Sequence, residues 1–359
     1  MLELFKKAVQ RNEEMRKPLS SVPWKPDEPY PQPYYIFDST KQDWEPMQQT
    51  PITSSEDTDP ITRLALYSWN IDFMLPHAQP RMEAALSHLE SLVRAHFDPP
   101  SSSSSSSSSP ATGVVIYLQE CVASDLATIG AAAWVRSRFA VTDRDGAHWG
   151  SGHYGTTTLV DRRLLPLGAC FRVHYAQTRM ERDALFTDVL VRSSSDGGKE
   201  KRRVRLCNTH LESLATAPPL RPAQMRLVAS YLRASPGTTP GPHAGLAAGD
   251  FNAIQDFDRA LHADNGLRDA YLEQGGREDA GEGYTWGQQA ATELRRLYGC
   301  SRMDKVFYVG GVRLLRFGRF GEGVEIDDPA QREELVALGL ERPWITDHLG
   351  VVAEVEVVD

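Results

Sequence analysis

The residues that could do chemistry in this sequence stand at the ends of short apolar runs. Asn70 closes the run at 64–70, Glu120 closes the run at 114–120, and His210 closes the run at 203–210. Singly, such residues are ordinary turn formers. Because strand ends at one edge of an α/β sheet lie close together, the recurrence of the pattern predicts a shared site. Three further runs supply the remaining candidates, which are Asp250 with Asn252, Asp304, and Asp347 with His348.

The carboxylates of Glu120 and Asp347 are the candidate metal ligands. Hard oxygen donors of this kind, with the Asn70 side-chain amide nearby, suit Mg²⁺, with Mn²⁺ as the alternative ion. The sequence has no cluster of cysteine and histidine of the kind that zinc favours. The residue types therefore predict a magnesium site.

The other candidates suit the handling of a phosphate and a water. A histidine such as His348, oriented by a buried carboxylate, stabilises developing charge or moves a proton. Asp250 would orient or deprotonate a water, while Asn252 and His210 would donate hydrogen bonds to phosphate oxygens. A metal, a positioned water and phosphate donors together describe hydrolysis of a phosphate ester.

The elements that must position these residues alternate between strands and helices from about residue 61 to the C-terminus. Period-2 and continuous apolar runs predict strands over 64–70, 114–120, 156–160, 185–191, 203–210, 244–252, 302–309 and 349–358. Helical spacing predicts helices over 80–97, from 121 to about 138, and over 221–235. A hairpin turn is expected at 193–201. The pattern predicts an α/β catalytic domain spanning 61–359.

Two segments lack this alternation of strands and helices. Residues 1–60 are rich in proline and show no sustained period after about residue 18, so we interpret them as an extended N-terminal arm, with disorder as the alternative. Nine serines at 101–109 form a low-complexity loop that cannot bury anything. The aromatic residues through which the arm would dock are Trp24, Tyr34, Tyr35, Phe37 and Trp44.

Composition excludes several classes of protein. A formal net charge of −9 argues against a surface coated for non-specific DNA binding, although it permits a local basic groove. No apolar run is long enough to cross a membrane, and the charged N-terminus lacks the apolar centre of a secretory signal. The four cysteines are widely spaced and contain no CxxC pair, which favours reduced thiols in an intracellular protein.

At this point the sequence resembles a known family. The segments "SWN" (68–70), "LQE" (118–120), "THLES" (209–213), "GDFN" (249–252), "RMDKV" (302–306) and "TDH" (346–348) occur in the order and spacing of the endonuclease/exonuclease/phosphatase superfamily. "WNID" (69–72), "YTW" (284–286) and the MxR at 180–182 narrow the resemblance to the tyrosyl-DNA phosphodiesterase 2 family. That family removes the tyrosine that a trapped topoisomerase II leaves on a 5′ DNA phosphate. The resemblance implies a four-layer α/β sandwich of two packed mixed β-sheets flanked by helices.

The resemblance also implies a role for each matching residue. It implies a Mg²⁺ ion held by Glu120 and Asp347, and hydrolysis that leaves a 5′ phosphate during DNA repair. The catalytic set would be Asp250 as the residue that orients or deprotonates the water, Asn252 beside it, His348 held by Asp304, and Asn70 near the metal-water shell. The substrate contacts would be His210 and Ser213 to phosphates and Trp286 as a wall of the DNA groove.

Two departures from the family pattern leave the substrate open. Ile254 and Ala215 stand where arginines are expected, and Arg182 or Arg221 would have to replace those contacts to the nucleic-acid backbone. The final motif is Thr-Asp-His-Leu-Gly rather than Ser-Asp-His-Trp-Gly. The alternatives are an abasic-site endonuclease, an RNA 3′-exonuclease, a phosphatase of small phosphodiesters, and a catalytically silent binding scaffold.

Location and assembly follow mainly from the resemblance. It implies a monomer in the nucleus, with the cytoplasm as a second compartment, acting on nucleic acid rather than at a membrane. The basic stretch "KEKRRVR" (199–205) could be a nuclear-localisation signal. The alternative interpretation is a charged hairpin that leads into a strand.

Overall fold

The computed structural model describes residues 23–49, 61–97, 111–195, 200–233 and 241–359. The serine run at 101–109 and the ends of the N-terminal arm, 1–22 and 50–60, lie outside the described residues. Within the described part of the chain, no helix is both long enough and apolar enough to span a membrane.

The described residues form fifteen strands and eight helices. The strands are β1 (Pro29–Pro31), β2 (Tyr34–Asp38), β3 (Asp43–Met47), β4 (Ile61–Asn70), β5 (Ala111–Cys121), β6 (Phe139–Val141), β7 (Gly155–Asp161), β8 (Ala169–His174), β9 (Asp183–Arg192), β10 (Lys201–His210), β11 (Ala244–Asp250), β12 (Arg268–Asp269), β13 (Asp304–Gly310), β14 (Val312–Phe320) and β15 (Gly350–Val357). The helices are α1 (Ala78–Phe97), α2 (Ala123–Ala131), α3 (Ala133–Arg138), α4 (Arg221–Arg233), α5 (Leu261–Asp264), α6 (Ala270–Glu273), α7 (Thr292–Tyr298) and α8 (Pro329–Ala337).

The strands form two mixed sheets. The seven-stranded sheet has the order β1-β8-β9-β10-β11-β13-β12, and the eight-stranded sheet has the order β14-β15-β4-β5-β7-β6-β2-β3. In each sheet one central pair is parallel, β10 with β11 and β4 with β5. Parallel neighbours end at the same edge, so each pair brings two polar strand ends together.

Three apolar layers hold the sheets and helices in a sandwich. The central layer packs one sheet on the other, with Leu66 and Tyr117 from the eight-stranded sheet and Leu206 and Val306 from the seven-stranded sheet. One outer layer packs α1 on the eight-stranded sheet through side chains at helical spacing, which are Met82, Leu86, Leu89 and Val93. The other packs α4 on the seven-stranded sheet through Met225, Val228 and Leu232. The prediction of a four-layer α/β sandwich of two mixed sheets is confirmed.

The described part of the N-terminal arm contributes strands to both sheets. Strand β1 pairs with β8, while β2 and β3 extend the other sheet beyond β6. The Trp24 ring stacks on the imidazole of His174 with ring centroids 3.8 Å apart, and Tyr34, Phe37 and Trp44 are buried. The sequence pattern did not predict these strands because prolines interrupt them. Proline is tolerated there since β1 and β3 are edge strands, where a missing N–H costs no ladder bond.

Strands β6, β8, β12 and β14 were not predicted from the sequence, and two predicted strands differ in detail from the structure. Asp304 is the first residue of β13 rather than a residue inside its apolar run, so its carboxylate lies at the sheet edge. Residues 201–205 of the basic stretch belong to β10, where Val204 and Arg205 are buried. This placement favours the interpretation as a charged segment that leads into a strand.

Candidate active site

The two sheets bring their polar strand ends to one place. His210 is paired with Asp250 in the β10–β11 register, and Asp250 is paired with Asp304 in the β11–β13 register. From the other sheet, the side chain of Asn70 at the end of β4 donates from Nδ2 to Asp250 Oδ2 over 3.0 Å. Glu120 follows Gln119, the β5 partner of Asn70. The fold therefore assembles the predicted cluster where the sheet edges meet.

Asp250 is the centre of this cluster. Its Oδ2 lies 3.2 Å from His210 Nε2 and 3.7 Å from His348 Nε2, and its Oδ1 accepts the backbone N–H of Asn252 over 2.8 Å. Burial acts to raise the pKa of Asp250, but His348 and His210 outweigh it and hold the pKa below its usual value. The Asp250 carboxylate is therefore ionised at neutral pH.

His348 is paired with Asp304. Its Nδ1 lies 2.8 Å from Asp304 Oδ2, so Nε2 points toward Asp250 and Asp347. Burial acts to lower the pKa of His348, but Asp304, Asp250 and Asp347 outweigh it and raise the pKa well above its ordinary value. Burial also raises the pKa of Asp304 to about 6, against the opposing effect of the imidazolium. At neutral pH the His348 ring is a cation facing the site.

The tautomer of His210 follows from its neighbour Arg182. Arg182 Nη1 lies 2.5 Å from His210 Nδ1, and because a guanidinium can only donate, Nδ1 accepts and the ring proton sits on Nε2. Burial, with the Arg182 charge, lowers the pKa of His210, which keeps the ring neutral. Its Nε2–H lies between Asp250 Oδ2 at 3.2 Å and Glu120 Oε1 at 3.7 Å.

Glu120 and Asp347 have a donor set that fits a divalent cation. Oε2 of Glu120 accepts the Phe73 backbone N–H over 3.0 Å, and Oδ2 of Asp347 accepts the Trp286 indole N–H over 2.6 Å. In the described part of the chain no hydrogen bond engages the second oxygen of either carboxylate. Two oriented carboxylates, each with one oxygen available, match the hard oxygen ligands of Mg²⁺.

A second group also has metal-ligating atoms close together. The ligating atoms of Asp250, Asp304 and His348 lie within 4.8 Å of one another, and all three residues are buried. However, His348 Nδ1 is bonded to Asp304, and both Asp250 oxygens already accept hydrogen bonds. These three residues are therefore better suited to holding charge and protons than to ligating an ion.

Strained backbone marks the same region. Non-glycine residues in the left-handed region of φ include Glu120 at 59°, Asp72 at 56° and Asn252 at 46°. Such conformations cost free energy and persist where the surrounding structure enforces them, often at functional sites. Asn252 is further held by its Nδ2, which donates to Leu211 O over 3.0 Å.

The residues that were predicted to contact the substrate lie in different environments. Trp286 lies at the site, but its indole is hydrogen-bonded to Asp347. Ser213 is half-buried at the start of the loop that follows β10. Arg182 is buried against His210. Arg221 is also buried, in an ion pair with Asp258 at 2.8 Å. Both arginines are thus engaged by interior partners, and their contact with a nucleic-acid backbone stays a prediction.

The surface around positions 215 and 254, where the family pattern has arginines, is apolar. Leu214 is 61% exposed and Ile254 is 42% exposed. Arg221 fixes both loops, since it donates to Leu214 O and pairs with Asp258, which in turn accepts the Ile254 backbone N–H. The apolar rim, defined as Leu214 and Ile254, is therefore held in place by a buried ion pair.

Three further residues at the site were not predicted. Burial raises the pKa of Asp72 to about 8, reinforced by the charges of Asp347 and Glu120. The Phe73 ring stacks on Tyr154 with ring centroids 4.1 Å apart, next to the residue whose N–H binds Glu120. The only signal in the sequence was the position of Asp72 and Phe73 two and three residues after Asn70 in "WNIDF".

Comparison with known proteins agrees with this fold. The model of the Endonuclease/Exonuclease/phosphatase family matches residues 67–348. No curated protein matches the sequence.

Similar solved structures include D. rerio TDP2 complexed with single-strand DNA product, at 18% identity and a TM-score of 0.57 over 82% of this chain and 100% of that one. Truncated Caenorhabditis elegans TDP2 matches at 22% identity and a TM-score of 0.57, over 82% of this chain and 98% of that one. The human Nocturnin catalytic domain with bound sulfate matches at 13% identity and a TM-score of 0.51, over 84% of this chain and 97% of that one. At these identities the likeness shows a shared fold.

Proposed function

The chain belongs to the endonuclease/exonuclease/phosphatase family, and from this premise we propose that it is a Mg²⁺-dependent phosphodiesterase that hydrolyses 5′-phosphotyrosyl DNA linkages. Members of this family are metal-dependent hydrolases. The reaction would release tyrosine and leave a 5′ phosphate, as in the repair of topoisomerase adducts. A monomer resident in the nucleus belongs to the same proposal.

The observation that carries the proposal is a continuous path of polar contacts across the site. It runs from Asp304 through His348, Asp250 and His210 to Glu120. We assign the ionised Asp250 to orient a water and accept its proton, beside Asn252. The His348 cation, held by Asp304, would stabilise negative charge on the phosphoryl oxygens.

We assign the cation to Glu120 and Asp347, with Mn²⁺ as an alternative to Mg²⁺. When bound, a divalent ion supplies Lewis-acid stabilisation of charge on the phosphate and the leaving oxygen. The N–H of the neutral His210 lies between the Glu120 and Asp250 carboxylates and reduces the repulsion between them. Asn70 and Trp286 fix the orientations of Asp250 and Asp347.

The tyrosyl part of the proposal rests on the leaving group. A phenol has a pKa of about 10, far below that of an alcohol, so it leaves without a strong acid beside it. His174, a histidine that could act as such an acid, is stacked on Trp24 of the N-terminal arm. The Phe73–Tyr154 pair provides an aromatic surface next to Glu120, against which a phenol ring could pack.

The apolar rim favours a second candidate within the same family. Leu214 and Ile254 offer no charge to a phosphate backbone, which suits a small phosphodiester or a single nucleotide at the end of a strand. An RNA 3′-exonuclease or an abasic-site endonuclease would share the catalytic residues. A catalytically silent scaffold is disfavoured because a scaffold would not need the ionised Asp250 and the cationic His348 to face one another.

Turnover of an aryl phosphodiester tests the catalytic part of the proposal. Thymidine 5′-(4-nitrophenyl) phosphate should be hydrolysed in Mg²⁺, and the rate should fall to background in EDTA and in Asp250→Asn. Met47→Ser, at an exposed position on the edge strand β3, is the control and should retain turnover of this small ester. Wild-type turnover no faster than background would support a silent scaffold, and equal rates above background for wild type and Asp250→Asn would contradict the role assigned to Asp250.

A further inference from the structure

Arg81 has an unusual set of partners. It lies in the first turns of α1 and is 1% exposed. A guanidinium has five N–H donors, and each finds a backbone carbonyl. Nε donates to Pro76 O at 2.8 Å, Nη1 to Ile71 O at 2.5 Å and Ile345 O at 2.6 Å, and Nη2 to Asp72 O at 2.8 Å and Leu75 O at 3.0 Å. Among the described residues no carboxylate forms an ion pair with it.

These carbonyls belong to two segments that position the candidate metal ligands. Four of them lie in the loop at 71–76, whose Phe73 N–H binds Glu120 Oε2. The fifth, of Ile345, stands two residues before Asp347. The same segment is tied to β4 by Thr346, whose Oγ1 donates to Asn70 O over 2.9 Å. Arg81 therefore joins the segment that holds Glu120 to the segment that carries Asp347.

The charge of Arg81 is balanced at a distance. The carboxylates that interact with it electrostatically are Asp72, Asp125, Glu120 and Asp347, and three of these four belong to the site. The formal charges of Glu120, Asp347 and Arg81 sum to −1, so Arg81 offsets part of the negative charge at the candidate metal ligands. Arg81 thus brings a buried positive charge near these carboxylates while all five of its hydrogen bonds go to backbone carbonyls.

We propose that Arg81 is a positioning residue that sets the separation and orientation of Glu120 and Asp347 for a divalent cation. The inference rests on the metal site of the proposed function. Its physical basis is the fork of five donors, since a lysine with three donors would leave at least two of the carbonyls unpaired. Loss of those bonds would free the 71–76 loop from the 345–347 segment while keeping the charge.

Arg81→Lys in the full chain tests the proposal through cation binding rather than turnover. The readout is the rise in melting temperature on titration with MnCl₂ and with MgCl₂, which follows the fraction of protein bound. For Arg81→Lys, the concentration that gives half of the maximal rise should increase about tenfold, as for other outer contacts of a metal site. Arg172→Lys is the matched control, because Arg172 is equally buried but pairs with Asp143 and Asp183.

The control separates a positioning role from a structural one. Both variants should melt earlier than wild type without metal, but only Arg81→Lys should shift the half-saturating concentration. If Arg81→Lys and Arg172→Lys titrate like wild type, Arg81 only stabilises the fold and the inference is wrong. If wild type shows no rise with either ion, the metal site of the proposed function fails, and the inference fails with it. Should Arg81→Lys not fold, Arg81→Met, which leaves no unpaired charge, carries the same comparison.

Discussion

His348 and Asp304 form a buried pair at the edge of the seven-stranded sheet, with Nδ1 of the imidazole 2.8 Å from Oδ2 of the carboxylate. Asp304 is in turn fixed by its backbone N–H, which donates to Thr285 Oγ1 over 2.9 Å. The pair aims His348 Nε2 at Asp250 and Asp347. The carboxylate thus sets both the orientation and the charge of the imidazole.

Because the two residues act as a unit, their substitutions should be strongly non-additive. We expect Asp304→Asn combined with His348→Ala to be hardly slower than His348→Ala alone. Single-turnover rates on thymidine 5′-(4-nitrophenyl) phosphate for both single variants and the double variant measure this. His348→Ala combined with His174→Phe is the control pair and should be additive. Effects that multiply in the Asp304 pair as well would show that the two residues do not cooperate.

Replacing Glu120 with glutamine keeps its size but removes the charge offered to the cation. We expect Glu120→Gln to lower kcat/KM by about 10²-fold or more at low millimolar Mg²⁺, the order of loss found when metal-site contacts are removed. A Mg²⁺ titration of the aryl ester reaction measures it. The exposed Glu334→Gln on α8 is the matched control. Unimpaired activity of Glu120→Gln would refute the assignment of Glu120 as a ligand.

The apolar rim predicts a weak dependence of DNA binding on salt. Each contact to a single-strand phosphate adds about 0.7 to the slope of log K against log salt, so wild type should show a shallow slope. Ile254→Arg should tighten binding of a 5′-phosphorylated oligonucleotide and steepen the slope by about that amount. Met47→Arg, at a position of similar exposure on the far edge strand β3, is the control. A steep slope in wild type, or equal effects of both arginines, would contradict the role of the rim.

His174 predicts a loss of stability in acid. Burial, with the charges of Arg172 and His148, lowers its pKa to about 3, below the 6.5 of an exposed histidine. Below pH 6.5 the unfolded chain binds a proton at this histidine, whereas the folded chain does so only near pH 3. The free energy of unfolding therefore falls as the pH decreases from 6.5 toward 3. Between pH 8 and pH 5 the loss should be about 2 kcal/mol. Urea unfolding of wild type should show this loss in excess of His174→Phe, which keeps an aromatic ring against Trp24. The Asp183 carboxylate, 3.8 Å from His174 Nδ1, also faces this ring. If the free energy of unfolding of wild type and of His174→Phe depends on pH in the same way, the pKa of His174 is not lowered.

The catalytic cluster was predictable from the sequence because its members end regular strands. Asn70, Glu120, His210 and Asp250 follow apolar runs whose parallel pairing forces their ends together. The strands of the N-terminal arm were not predictable, since proline masks an edge strand.

The partners of the buried arginines could not be predicted from the sequence either. Arg81, Arg182 and Arg221 carry the same charge, but each is buried with partners brought in from distant segments. Whether an arginine faces a ligand or a carbonyl depends on tertiary packing, which local pattern does not contain. For the same reason Asp72 could not be distinguished from an ordinary turn residue.

The most direct measurement of the central claim compares kcat/KM for four substrates in Mg²⁺. They are a 5′-tyrosyl oligonucleotide, an abasic duplex, an unmodified single strand and poly(A) RNA. We expect the tyrosyl oligonucleotide to react much faster than the others and to yield tyrosine and a 5′-phosphorylated strand, because attack at phosphorus expels the phenol. Preference for the abasic duplex or for poly(A), or equal cleavage of the unmodified strand, would contradict the tyrosyl proposal and leave a phosphodiesterase of another specificity.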